Sequence, residues 1–459
     1  MVLSFMVNSA KLICAQLIIF ASLSFASHAR PMETPNAVIK ATTDSETAFP
    51  GAEGYGKYSS GGRGGRIIFV DTLADKGPGS LRACIEASGP RVCIFRVGGV
   101  IRFTSERPLI RNPFLTIAGQ TAPGGGILIT HDGGDTGLTP IAIKRSHNII
   151  IRHVRVRPDK VSVRRGSNDA FTIENSHNVI LDHVSGSWAI DENFNGYSNN
   201  DSITVSWSIF AEGIPRHDKC ALLASDPVGP QSFSFIKNIC AHNGDRNPDV
   251  NFPAGSCVDV VNNIIYNGKS EFAEIWESFG GSPVNIVGNV FKAGPDTIKN
   301  VPAIKRHTFG SSGTAKIYSQ DNIIDGLFRT ASDVAIEVFS NEPVCPLSVV
   351  PLEAAQAYTA VLESAGAFPR DSFDQRIVTE VKTRTGKIVN APGKLPIIAA
   401  GAPPEDLDED GMADDWERAQ GISASEYNPW DDHDGDGWLN LDEYLDAMHQ
   451  QALQTIDSQ

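Results

Sequence analysis

Two windows near the C-terminus carry acidic side chains at the spacing of a calcium-binding loop. The first runs Asp406-Leu407-Asp408-Glu409-Asp410-Gly411 and reaches Glu417 at its twelfth position. The second runs Asp432-His433-Asp434-Gly435-Asp436-Gly437 and reaches Glu443. Calcium takes about six to eight oxygens in a flexible shell. Carboxylates at loop positions 1, 3 and 5 and a two-oxygen glutamate at position 12 supply most of them, and glycine at position 6 allows the turn. Both windows meet this EF-hand pattern, with Met412 and Trp438 placed to give backbone carbonyls. One match alone would read as a solvated acidic loop. Two in tandem, each running into a helix-like segment, predict two calcium sites: Asp406, Asp408, Asp410 and Glu417, then Asp432, Asp434, Asp436 and Glu443. Their simplest use is a structural clasp, with a docking module as the alternative.

The charge of the chain is uneven. The formal net charge is -15, yet Gly401 to Gln459 alone holds 17 acids against one base, Arg418. The remaining body is nearly neutral, so the acidity says little about what that body binds. Within it, Lys144, Arg145, Arg152, Arg155, Arg157, Lys160, Arg164 and Arg165 form a basic run. Such a run reads as a solvated face, or else as a surface for a polyanion. Nucleic acid is disfavoured, because no aromatic platform accompanies the bases and the chain reads as exported. Lys11, the apolar run Leu12 to Phe25 and the small residues Ser27-His28-Ala29 predict a signal peptide cut after Ala29. The run is too short for a transmembrane anchor, and the mature protein is expected to be soluble and extracellular. Cys14 leaves with that peptide. Cys84, Cys93, Cys220, Cys240, Cys257 and Cys345 remain, an even number that permits disulfides in an exported chain. Cys84 and Cys93 are close enough to close a small loop and are the first expected pair.

The elements that hold these residues repeat. From about 140 to 325, short β-rich strings recur around Ile149, Val179, Ile203, Phe233, Val258 and Val284, at intervals of 30, 24, 30, 25 and 26. A second register, Asn238, Asn263, Asn289 and Asn322, recurs at 25, 26 and 33. Apolar strings of this length read as buried strands. One such unit cannot bury its own apolar face, whereas stacked units can, and asparagines at one turn can bond along the stack. The fold class is therefore all-β: a right-handed parallel β-helix with a small α-helical, EF-hand-like C-terminal region. An antiparallel sandwich is the alternative, but regular Asp-Gly or Gly-Asn hairpin turns are missing. Leu352 to Ala365 reads as helix, and Asp371 to Thr385 mixes helix and strand signals. The organisation expected is a signal peptide 1–29, a linker 30–47, the β-helix 48–390, a proline- and glycine-rich linker 391–404 and the calcium-binding tail 405–459.

Several strings resemble bacterial pectate lyases. They are Ala48-Phe49-Pro50-Gly51-Ala52-Glu53-Gly54-Tyr55-Gly56, Gly77-Pro78-Gly79-Ser80-Leu81-Arg82, Thr116-Ile117-Ala118-Gly119-Gln120-Thr121, Asn178-Val179-Ile180-Leu181-Asp182-His183 and His242-Asn243-Gly244-Asp245-Arg246-Asn247-Pro248. The similarity runs from about 48 to 395, and the tail resembles those appended to such lyases. The resemblance implies calcium-assisted β-elimination on polygalacturonate or pectin. Abstracting a proton α to a carboxylate adds charge to an anion, which a bound cation stabilises. It implies that Asp169, Asp191, Glu192 and Asn195 hold a catalytic calcium. Ser167 and Asn195 stand where the family often has acids, and the alternative reading of the candidate acids is that they cap β-turns, as Asp and Asn readily do. It implies Arg246 as base or carboxylate clamp. A free guanidinium stays protonated above about pH 12, so Lys219, matched to a substrate-binding lysine, is the alternative base. Asn251 stands where a second arginine is usual. Asp182 and His183 read as structural. A hydrolase on the same fold, with paired carboxylic acids, and a non-catalytic carbohydrate-binding or adhesin β-helix are the competing functions. The expected partner is an acidic polysaccharide met by a monomer, with no nucleic acid and no membrane.

Overall fold

Ile149, Val179, Ile203, Phe233, Val258 and Val284 stand in one row. Val179 pairs with Ile149 and Ile203, Phe233 with Ile203 and Val258, and Val258 with Val284. The structure, a computed structural model, describes residues 47–133, 139–160, 168–215, 217–326 and 329–454. All of these belong to the compact unit Thr42–Gln459. The expected signal peptide and Ser167 lie outside the described residues.

The described strands form three sheets of eleven, eight and nine strands, and in each sheet strand order follows chain order. Each coil therefore adds one strand to every sheet, and the paired strands are parallel. This is a right-handed parallel β-solenoid; an antiparallel sandwich is ruled out. Inward positions are filled by stacked Val, Ile and Phe, including Phe171, Phe194, Phe210, Phe233 and Phe235, all fully buried. Disulfides join Cys84 to Cys93, the expected pair, and Cys220 to Cys240.

One corner explains the asparagine register. Leaving the eleven-stranded sheet, successive coils turn through Lys237, Asn262, Gly288 and Asp321, with φ of 58°, 59°, 64° and 50°. Left-handed backbone is uncommon for residues other than glycine, and the asparagine after each turn compensates. Asn263 Oδ1 accepts from Asn238 N (2.9 Å), and Asn289 Oδ1 accepts from Asn263 N (2.8 Å) and from Asn263 Nδ2 (3.0 Å). The ladder thus caps backbone as well as linking side chains. Asn263→Ala strands several buried partners, so a loss of about 3 kcal/mol is expected, read by denaturant unfolding.

Helices cover the other faces. Ala354–Ser364 and Ser372–Thr383 lay Val361, Leu362, Phe373, Ile377 and Val381 on Ile209, Ile239, Ile264 and Tyr266 of the nine-stranded sheet. The helix Asn440–Gln454 sets Leu441, Tyr444 and Leu445 beside Val92, Ile94 and Ala118 of the eleven-stranded sheet, together with Met412. The mixed signal at Asp371 to Thr385 resolves as helix. Asp371 caps it, its side chain accepting from Phe373 N and Asp374 N, as N-caps do.

The middle of the basic run, Arg152, Arg155 and Arg157, is buried rather than solvated, while Arg145 and Lys160 stay exposed as expected. Arg155 and Arg157 are fully buried beneath that helix. Arg157 Nη2 donates to Asp374 Oδ1 (2.7 Å), its Nη1 pairs with Asp371, and Arg152 pairs with Asp182 (2.9 Å). The sheet positions would be open on a bare solenoid. The helix caps them with two acids, and buried charges need such partners. Arg164 and Arg165 lie outside the described residues.

Candidate active site

The eight-stranded sheet carries a polar outer face. Along one row run Thr172, Asn195, Leu222, Asp249, Glu274 and Lys305, paired strand to strand. Beside it, Glu192 pairs with Lys219, and Lys219 bridges to Asp245. Strand alternation sends Phe194, Val250, Ile275 and Ile304 into the core, which turns Asn195, Asp249, Glu274 and Lys305 outward.

At one end of this face sit the acids. The carboxylates of Asp191 and Glu192 and the ring of His217 offer ligand atoms within 4.8 Å of one another. Asp169 lies alongside. Its Oδ1 accepts from Glu192 N (3.2 Å), and its Oδ2 accepts from Thr172 Oγ1 (2.6 Å) and Asn195 Nδ2 (2.9 Å). Asn195 Oδ1 is buried without a protein partner. Burial raises Asp169 to about 6, with Asp191 adding to the rise and Thr172 and Asn195 opposing it. Burial also lifts Glu192 well above the ordinary carboxylate range, helped by Asp169 and Asp191 and opposed by Arg246. Three crowded acids and an idle amide oxygen form a hard-oxygen donor set that suits calcium.

Arg246 faces this group. Its Nη1 pairs with Glu192, its Nε lies 3.5 Å from Asp249 Oδ2, and its backbone N–H donates to Glu274 Oε1 (2.6 Å). Burial pulls Arg246 down, but Asp249, Glu192, Glu274 and Asp245 together hold it above its ordinary value. In this arrangement Arg246 stays charged. Lys219 Nζ pairs with Asp245. Asp249 is raised by burial to about 7, against the pull of Arg246.

The structure thus brings Asp169, Asp191, Glu192, Asn195, Lys219 and Arg246 onto one face. Sequence reasoning missed His217, whose Nδ1 lies 2.7 Å from Asp191 Oδ1, and the acids Asp249 and Glu274. The alternating string Ala273-Glu274-Ile275-Trp276 carries the signal for Glu274, an acid at an outward strand position. Asp182 and His183 sit on another sheet. Asp182 is buried between Arg152, His183 and Ser206 (2.8 Å), and His183 stacks between His153 and Trp207.

The tail loops are also assembled. Asp406, Asp408 and Asp410 offer oxygens within 4.8 Å, as do Asp432, Asp434 and Asp436. Gly411 and Gly437 take φ of 88° and 101° at the turn, where a side chain would be strained. In the first loop both carboxylate oxygens of Asp408 and both of Glu417 are buried without partners. Burial, then Asp410 and Asp408, push Glu417 up to about 8; burial likewise lifts Asp410 to about 6. Glu443 is raised by burial and by Asp434.

No family model matches the chain. A probable pectate lyase C of Aspergillus fumigatus is 32% identical over 412 residues, covering 86% of this chain and 92% of that one. The chain belongs to the pectate lyase family. A second probable pectate lyase C, from Aspergillus terreus, is 33% identical over 389 residues and covers 81% of this pectate lyase and 86% of its own length. These relatives are fungal, where the sequence strings resemble bacterial lyases. Among solved structures, the cedar pollen allergen jun a 1 superposes with a TM-score of 0.53 at 20% identity, covering 69% of this chain and 92% of that one. That likeness bears on the fold.

Proposed function

We propose that this pectate lyase cleaves polygalacturonate by calcium-assisted β-elimination on the outer face of the eight-stranded sheet. The observation that carries the reading is the meeting of Glu192, Lys219 and Arg246 beside Asp169 and Asp191 on that face, in a chain of this family. Asp191, Glu192, Asp169 and the Asn195 carbonyl hold the catalytic calcium. Bound there, calcium neutralises a uronate carboxylate and stabilises the charge that develops when its α-proton leaves. Arg246 clamps a substrate carboxylate while its four acidic neighbours keep it protonated. Lys219 lies one strand away, binds a second carboxylate and is the better base, since an ammonium loses its proton far more readily than a guanidinium. Asp406, Asp408, Asp410 and Glu417, with Asp432, Asp434, Asp436 and Glu443, hold two structural calcium ions; the buried, unpartnered oxygens of Asp408 and Glu417 support the first. The apolar run Leu12 to Phe25 supports export with cleavage after Ala29, and the enzyme acts as a monomer on an extracellular acidic polysaccharide.

Product analysis tests the reaction class. Mass spectrometry of a polygalacturonate digest should find oligomers with one unsaturated end, each lighter by a water than its hydrolytic counterpart. Saturated products would assign the chain to hydrolysis. That outcome has a ready candidate acid in Asp249, raised to about 7, since a hydrolase needs a protonated carboxyl.

A further inference from the structure

Among the described residues two cysteines remain as thiols, Cys257 and Cys345. Cys257 opens the strand Cys257–Val261 of the eleven-stranded sheet, and Val258 beside it enters the core. Alternation therefore turns Cys257 outward with Asp259. Residues 341–353 cross that outer face as a strap. Val344 N donates to Asn285 Oδ1 (3.0 Å), Ser348 N to Asp259 Oδ2 (2.7 Å) and Leu352 N to Asn262 Oδ1 (2.9 Å). Val349 and Leu347 pack on Ile236, Val261 and Val287. These anchors fix the strap on both sides of Cys345. Its Sγ lies 3.5 Å from Tyr55 Oη and 3.8 Å from Asn285 Nδ2, and it shares a hydrogen bond with the Cys257 thiol. Tyr55 Oη also donates to Pro346 O (2.9 Å).

We propose that Cys257 and Cys345 form a third disulfide in the mature enzyme, stapling this strap to the solenoid. Strand and strap bring the two thiols into hydrogen-bond contact with each other. Two S–H bonds break and one S–S bond forms. The two protons and two electrons pass to the disulfide of a low-molecular-weight oxidant such as oxidised glutathione, whose S–S bond breaks to give two thiols. The thiolate is the attacking form, and burial and the neighbouring Cys257 push the Cys345 thiol up to about 12, so Cys345 in the docked strap holds almost no thiolate itself. The bond closes a loop of roughly 90 residues, a length at which cross-links constrain the unfolded chain strongly.

The test is differential alkylation of the full chain, refolded with oxidised glutathione. Free thiols are blocked with one reagent in denaturant, the protein is reduced, and the released thiols take a heavier reagent. Cys257 and Cys345 should carry only the second label, and an unreduced digest should yield their two peptides linked. First label on both, or linkage of either to another cysteine, overturns the proposal. Cys345→Ser should expose Cys257 to the first label and lower Tm by about 5 °C. Activity per folded molecule should be unchanged, because the strap lies on a different sheet from Lys219 and Arg246. An unchanged Tm in that variant, or Cys257 still carrying only the second label, would also overturn it.

Discussion

Arg246→Ala should lower kcat/KM on polygalacturonate by about 10³-fold or more, equivalent to about 4 kcal/mol of transition-state stabilisation. The expectation rests on position. Arg246 is the cation that touches both the crowded acid group, through Glu192, and the next coil, through Asp249. Removing it deletes the clamp and leaves Glu192 beside Asp169 and Asp191 with no counter-charge. Two companion measurements separate chemistry from folding. Thermal unfolding should shift by only a few degrees, because the raised acids can take up protons. The calcium concentration for half-maximal activity should fall, since a cation no longer competes for Glu192. Arg246→Lys separates the two roles. A clamp keeps charge but loses the two-pronged geometry, so binding weakens more than turnover; loss of a base removes kcat itself. Calcium affinity should also rise with pH. Asp169 sits at about 6 without metal, and the ion must displace that proton.

Calcium removal should lower Tm by about 10 °C, the larger part from the first tail loop. That loop is built into the fold: Met412 packs with Leu441 and Tyr444 on Val92 and Ile94, and Arg96 Nη2 pairs with Asp406 Oδ2 (3.2 Å). The second loop is exposed and contributes less. Metals that bind only the native state stabilise by about 4 kcal/mol at a thousandfold excess over Kd. The pH dependence has a definite sign. In chelator, Asp410 at about 6 and Glu417 at about 8 lie above their unfolded values. The native state then holds protons that the unfolded chain has released, so stability is greatest below the unfolded pKa values and falls as pH rises from about 5 to 8. With calcium bound the carboxylates are ionised and that decline should disappear. Calorimetry across this pH range, with and without chelator, reads both effects. Asp408→Asn should remove most of the calcium-dependent increment, and Asp434→Asn only a small part.

The solenoid was legible because its physics is repetitive. The six anchors from Ile149 to Val284 pair in the register their spacing implies, and the asparagines bond in the order they recur. What the chain hid was contact between distant segments. Arg155 and Arg157 look like surface bases until Asp371 and Asp374, more than two hundred residues away, cover them. The same holds at the candidate site. Arg246 and Lys219 were legible from local strings, but the company of Asp249, Glu274 and His217 arises from coil stacking and side-chain approach across loops. Local patterns report which way a side chain faces; only the stacking register reports what it meets.

Crystals of the unmutated enzyme grown with calcium and its own oligogalacturonate products test the central claim most directly. The account predicts an ion bound about 2.3 to 2.6 Å from oxygens of Asp191 and Glu192, with a uronate carboxylate completing its shell and Lys219 within reach of the sugar. A sugar chain bound on either of the other two sheets, or calcium confined to the tail loops with the sugar in place, would contradict it.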